Sequence, residues 1–253
     1  MRNEIIVALL LFSSFLFAQS TIPAGTILPI ELNSSLNSKK SKAGGEIKGT
    51  LAQDVPLPSR TIRRGSKVTG KIISVTPASS NQGAQISLRF DTVRFAGERA
   101  PIATNLRAIA SMMDVHLAQI PSGGPDRGTS EYSWVTEQIG GETNYHGGWP
   151  VTKGSEVVGQ SLLSGGVLTR VGAGSGSRCR GEIYNNDRLQ ALWVFASDAC
   201  ETYGFDDLAI THAGRTDPVG EIVLTSQHGN FNVRSGSGIL LRVIPPAPPI
   251  SKQ

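Results

Sequence analysis

The stretch "THAGRTDPVGE", residues 211–221, gathers His212, Arg215, Asp217 and Glu221 into one loop ahead of an apolar run. An imidazole beside a carboxylate is the pairing a hydrolase uses for general-base work, so a loop site at His212, Arg215 and Asp217 is one reading. The same letters also spell a structural turn. Asp217-Pro218 followed by Gly220 is ordinary turn chemistry, and an Arg215–Asp217 pair would lock it. The chain carries no GxSxG, SxxK or P-loop spacing. "VGAGSGSRC" (171–179) places its glycines off the dinucleotide fingerprint, with no amphipathic helix after it. His116, His146, His212 and His228 form neither HxH nor HExxH. No catalytic residue, cofactor or metal is expected.

A second kind of chemistry lies in charge. "NSKKSK" supplies Lys39, Lys40 and Lys42, and "RTIRRGSK" supplies Arg63, Arg64 and Lys67. The two segments would form one basic surface if their turns lay at the same end of the fold. Neither contains an aromatic residue for base stacking, so nucleic acid is not expected. An anionic envelope polymer, a lipid headgroup or an acidic protein surface fits better. The charge is also divided along the chain. Residues 21–110 carry 13 Lys and Arg against 5 Asp and Glu, whereas residues 111–253 carry 10 against 14. Such halves can face each other, associate between protomers, or offer the basic part to an anionic partner.

The compartment is legible at the front. Arg2, the apolar run Ile5 to Phe17 and the small residues Ala18 and Ser20 have the form of an export signal, with cleavage expected at Ser20. The run of 13 residues is short of the roughly 20 a spanning helix needs. An uncleaved anchor is the alternative, and the absence of a following Cys excludes a lipoprotein anchor there. The mature chain, with no further apolar span, is then periplasmic or secreted, and membrane-proximal at most. In that compartment Cys179 and Cys200, the only cysteines, are expected to form a disulfide. Its closed loop of about 20 residues would contribute roughly 3 kcal/mol in the chain-entropy account.

The elements that must position these groups read as strands. Twenty-nine glycines and short alternating runs indicate a mostly β chain. "TILPIEL" (26–32) is a strand whose Pro29 suggests an edge or a bulge. "EIKGTLAQDV" (46–55), "SKVTGKIISV" (66–75) and "QISLRFDTVRF" (85–95) follow, the last with Ile86, Leu88 and Phe90 on one face. "NLRAIASMM" (105–113) sets Leu106, Ile109 and Met113 at helical spacing and predicts one short helix. "GEIVLTS", "NFNVR" and "GILLRVI" are strands near the end, before a Pro-rich extended tail at 245–253. Between 114 and 207 lie all the Trp and Tyr and both Cys. That segment reads as an inserted β-rich subdomain with a disulfide-stapled core. Its Tyr and Trp beside acids such as Asp206 and Asp207 could bind sugars, or could simply be core.

One short pattern recurs: an apolar residue, two variable residues, Gly, then Ser or Thr. It occurs at "IPAGT" (22–26), "IRRGS" (62–66), "VTKGS" (151–155) and "VRSGS" (233–237). Gly25, Gly65, Gly154 and Gly236 would supply positive φ in a tight turn feeding a strand. The stretches "IPAGTILPIELNSSLNSKKSKAGGEIKGTLAQDVPL" and "TIRRGSKVTGKIISV" together resemble the TrbI-like barrel domain of conjugation and type IV secretion core complexes. The resembling parts are Ile22 to Pro29, Gly44 to Val55, Ile62 to Gly70, Ile86 to Phe90 and Val233 to Val243. The resemblance covers residues 22–110 and 208–244, and its units are structural rather than catalytic. It implies a small β-barrel made of 21–113 and 208–244, interrupted by the 114–207 insertion. The family's cytoplasmic segment, membrane helix and two-helix antenna have no counterpart here, so a free-standing barrel is implied and a channel is not. The expectation is an exported, non-enzymatic envelope protein acting in assembly, with envelope proteins or its own copies as partners. The alternatives are a secreted carbohydrate- or ligand-binding module using the aromatic insertion, and a hydrolase at His212 and Asp217.

Overall fold

The computed structural model describes residues 21–119, 135–137, 143–145, 150–153, 156–161, 167–170, 189–195 and 199–245. The expected export signal with Ser20, the expected turn at Gly154, the 171–179 stretch with Cys179, and the tail beyond 245 lie outside these residues. So does the expected pairing of Cys179 with Cys200; Cys200 itself is half-buried.

The chain is mostly β. In order come β1 (Ile27–Leu32), β2 (Leu36–Asn37), β3 (Glu46–Leu51), β4 (Val55–Pro56), β5 (Thr61–Ile62), β6 (Lys67–Thr76), β7 (Gln85–Phe95), β8 (Glu98–Pro101), β9 (Ala103–Ala110) and helix α1 (Met112–Gln119). Then follow β10 (Val135–Glu137), β11 (Thr143–Tyr145), β12 (Pro150–Lys153), β13 (Glu156–Ser161), β14 (Val167–Arg170) and β15 (Leu189–Ala191). The last are β16 (Glu201–Tyr203), β17 (Leu208–Ala213), β18 (Ile222–Ser226), β19 (Asn232–Val233) and β20 (Gly238–Ile244).

One large sheet runs β16-β9-β20-β1-β3-β6-β7-β18-β17, with β8 beside β7. It draws on both ends of the chain, and β16, from within 114–207, joins it by parallel pairing with β9. β10 to β15 form a separate six-stranded sheet in chain order. The outermost strands of the large sheet, β16 and β17, are consecutive in the chain. There Thr202 Oγ1 donates to the Leu208 carbonyl at 2.9 Å. No strand ladder joins β16 to β17 among the described residues.

The core lies on the inner face. Ile30, Ile47, Val68, Ile86, Leu88, Phe90, Val93, Leu224 and Leu241 are buried there together. A second cluster covers the other face of β1, β9 and β20 and includes Ile27, Ala108, Leu240, Val115, Trp193 and Phe195. These three strands are therefore buried on both sides, which erases the alternation of a half-solvated strand. That is why 105–113 reads as a helix in sequence. The structure makes Ala103–Ala110 strand β9, and the helix begins only at Met112. Pro29 also departs from expectation, because β1 is central, between β20 and β3. The β1–β3 ladder begins at Ile30↔Leu51, one residue past Pro29, so no ladder bond needs its missing N–H. Its carbonyl still accepts from Ala52 N at 3.0 Å.

The recurrent glycine unit has one geometry. Gly25, Gly65 and Gly236 take φ of 89°, 82° and 87°. In each unit the residue after Gly donates its N–H to the carbonyl three residues back, as Ser66 does to Arg63 at 3.1 Å. The glycine N–H then donates to a residue on a neighbouring strand, whose own N–H returns to the Ser or Thr carbonyl. Gly65 N to Leu51 O is 2.8 Å and Leu51 N to Ser66 O is 2.9 Å. Two residues thus oppose one, a turn closed by a β-bulge with left-handed glycine in its first place. The structure adds a unit the recurrence did not contain. Gly44, φ 79°, donates to Ile72 O at 2.8 Å, and Ile72 N returns to Gly45 O at 2.9 Å.

These units come in reciprocal pairs. The one before β1 grips Val243 at the end of β20, and the one before β20 grips Leu32 at the end of β1. The one before β3 grips Ile72 in β6, and the one before β6 grips Leu51 at the end of β3. Each ladder is clamped at both ends by the same device. A Cβ at Gly65 would meet nothing within 4 Å, so Gly65→Ala tests backbone conformation alone. The expected cost is about 1–2 kcal/mol. It should appear as a lower denaturant midpoint at unchanged m-value.

Candidate functional site

The loop around His212 is held by its own backbone. His212 Nδ1 lies 2.6 Å from the Glu221 carbonyl, and Nε2 lies 3.1 Å from the Asp217 carbonyl and 3.2 Å from Thr216 Oγ1. Gly214 N also sits 3.1 Å from Nδ1. Both ring nitrogens are thus engaged by groups of the loop itself. The Glu221 carboxylate accepts from Ser87 Oγ on β7 rather than facing the imidazole. No hydrogen bond joins His212 to the Asp217 side chain among the described residues. His212 staples the β17–β18 connection, and Arg215 and Asp217 are exposed along it.

Asp207 does similar work nearby. Its carboxylate accepts from the backbone N–H of His228 (2.8 Å) and Gln227 (2.9 Å) and from Ser226 Oγ (2.8 Å). Those bonds, the His228 N–H first, hold it down to about 2. Of the aromatics between 114 and 207 whose side chains are described, Trp193 and Phe195 are buried against β1, β9 and β20, and Tyr203 packs beside them. These act as core rather than as a sugar platform. The side chains of Tyr132, Trp134, Tyr145, Trp149 and Tyr184 lie outside the description.

The basic turns of the sequence are not brought together. Glu46 pairs with Lys71, and Thr50 with Lys67, along β3–β6. The turn carrying Lys39, Lys40 and Lys42 feeds β3 at the Lys71 end, whereas Arg63 and Arg64 feed β6 at the Leu51 end. The ladder between them spans five pairs, roughly 16 Å. Asn37 Oδ1 accepts from the N–H of Lys39 (2.9 Å) and Lys40 (3.0 Å), which fixes the first turn. Asp54 fixes the second, accepting from Arg64 N and Arg63 Nη1, each at 2.7 Å. The Arg64 N–H is the main reason the Asp54 carboxyl lies below its usual range. The Arg63 side chain thus has a structural partner.

Lys67 belongs to a different constellation. The register sets Lys67 opposite Arg94, and Arg94 opposite Arg99. Ala96 and Gly97, with φ of 50° and 79°, form the two-residue turn that fixes the last pair. Three cations therefore stand side by side on β6, β7 and β8, all exposed, because Val68, Val93 and Ala100 take the inward positions. The neighbouring row on the same face runs Lys48, Thr69, Thr92. Lys48 is paired with Glu46 at 3.1 Å. Among the described residues no ion pair involves Lys67, Arg94 or Arg99. These rows, with Asn33, Thr50 and the Glu46 carboxylate that pairs with Lys48, line a groove of about 410 Å³.

Like charges directly opposite on a sheet repel. The arrangement costs stability by itself and is relieved by an anion laid across it. Sequence reasoning reached Lys67 but not Lys48, Arg94 or Arg99. The alternation in "DTVRF" assigns Arg94 a face, but only the register reveals its neighbours. No family model, curated protein or solved structure matches the chain.

Two predictions follow from this geometry. Replacing Lys67, Arg94 and Arg99 together by Gln should stabilise the chain at low salt by about 0.2–1 kcal/mol per opposed pair. The gain should shrink as salt screens it, as read by chemical denaturation. Asp207 contributes stability that is complete above its unfolded value near 3.8 and disappears as pH falls to about 2. Asp207→Asn should therefore be less stable than the native chain at pH 6, and the two thermal midpoints should converge as pH falls across that window.

Proposed function

We propose that this chain is an exported, non-enzymatic binding and assembly module of the cell envelope, docking to an anionic component through the outer face of β3, β6, β7 and β8. The observation that carries the reading is the row Lys67, Arg94, Arg99, three exposed cations opposed in register and, among the described residues, in no ion pair. A groove on a clamped antiparallel sheet is a rigid place for such recognition. The His212 ring, turned to its own loop, supports a structural role for the site a hydrolase would need. The resemblance to the TrbI-like barrel supports the same class of function. In this reading the β16–β17 seam is where a small barrel closes, and the 114–207 insertion carries the Cys179–Cys200 disulfide. Cleavage near Ser20 delivers the chain to the periplasm or the exterior.

Light scattering on residues 21–253 at low and moderate salt tests the reading. A chain that gains mass when an anionic polymer is added, and loses the gain in the Lys67→Gln, Arg94→Gln, Arg99→Gln variant, bears it out. A salt-sensitive oligomer lost in the same variant would make the acidic segments of a second copy the anionic component. Indifference to salt, polymer and variant alike overturns it.

A further inference from the structure

We infer that the groove on β3, β6, β7 and β8 takes an extended acidic polysaccharide of the uronate type, running across the strands along Lys67, Arg94 and Arg99. The inference rests on the proposed docking face and specifies its occupant. Adjacent strands stand about 4.8 Å apart, so neighbouring cations repeat at about 4.8 Å and the row of three spans roughly 10 Å. The strand-to-strand spacing is close to the advance of one sugar in an extended chain, so a segment of about three sugars covers the row and its carboxylates can reach the cations. A compact anion would engage one or two cations of such a row and leave the rest repelling.

The neutral lining carries the other half of the match. Thr50 stands opposite Lys67 at the end of the cation row, and Thr69 of the neighbouring row and the Asn33 amide line the same groove. They offer neutral donors and acceptors at the height where a glycan presents hydroxyls. Arg99 and Arg94 present planar forks suited to carboxylate, and Lys67 a point charge. The groove has no aromatic residue, as base stacking of a single-stranded nucleic acid would require.

The test is calorimetric titration of residues 21–253 with digalacturonate, tetragalacturonate and an octameric oligogalacturonate, with tripolyphosphate as the compact anion. Affinity should rise at least about tenfold from the dimer to the tetramer, as linked sites fill in turn, and level off thereafter. Each of Lys67→Gln, Arg94→Gln and Arg99→Gln should lower the slope of log K against log salt by about one. Thr69→Val should weaken the tetramer about three- to tenfold at an unchanged salt slope, a readout that lost charge alone would not give. Because the three cations are exposed, circular dichroism should confirm that the variants fold. Binding of tripolyphosphate as tight as that of the tetramer, at the same cations, would overturn the polysaccharide while leaving the anionic docking face. No binding by any of these anions, or binding unchanged in the triple variant, would overturn both.

Discussion

The fold depends on one backbone device, a left-handed glycine that closes a turn and bulges against the end of a neighbouring strand. Gly25, Gly44, Gly65 and Gly236 each do this. An antiparallel ladder fixes the spacing of its strands but not where pairing starts, and a slip by one residue would move every side chain to the other face. A reciprocal bond pair at each end removes that freedom. For β1–β20 the stops are Leu32 and Val243, and for β3–β6 they are Leu51 and Ile72. Because β1 also pairs with β3, the two clamped ladders lock to one another through Ile30↔Leu51. The register of β6 then sets Lys67 against Arg94, so the charged groove inherits its geometry from glycines on other turns.

The clamps also explain how a chain with few large aromatics builds a sufficient core. Strands β1, β9 and β20 have an apolar cluster on each side. Leu192 to Phe195 and helix α1 cover the outer one, so residues distant in the chain complete the burial of the sheet. Arg107 is buried within β9, at the residue where the ladder with β20 shifts register between Leu106 and Ala108. A bulge is where a strand can turn an extra side chain toward a layer its alternation would not reach.

Much of this was legible in the residues. The mostly β character, the runs at 46–55, 66–75 and 85–95, and positive φ at Gly25, Gly65 and Gly236 all follow from local chemistry, and local chemistry is what a sequence displays. What failed was set by partners distant in the chain. The 105–113 stretch reads as helical because a strand buried on both faces loses its period. Pro29 suggests an edge because sequence does not show that the β1–β3 ladder starts one residue later. The unit at Lys42 to Gly45 escaped the recurrence because Ser41 stands where the others have Ile or Val, and Gly45 where they have Ser or Thr. The two lysine- and arginine-rich turns, prominent as letters, lie at opposite ends of one ladder. The four cations of the groove are scattered from 48 to 99 and meet only through register.

A row of like charges on a sheet has an ordinary explanation in edge protection, since charged side chains on an edge strand discourage pairing with another chain. That account suffices for Arg99, because among the described residues β8 pairs only with β7. It does not reach Arg94, flanked by β6 and β8, or Lys67, flanked by β3 and β7. Interior strands have no edge to protect. Acids were also to hand. Glu98 is adjacent in sequence to Arg99 but points to the other face, where it pairs with Arg60 at 3.1 Å. Arg60 in turn lies 4.6 Å over the ring of Phe95. Among the described residues, therefore, a cation is neutralised on one face of this hairpin, and Arg94 and Arg99 on the other have no ion pair. A difference between two faces of the same four residues is not composition. In the reading proposed above, that surface takes its counter-charge from outside the chain.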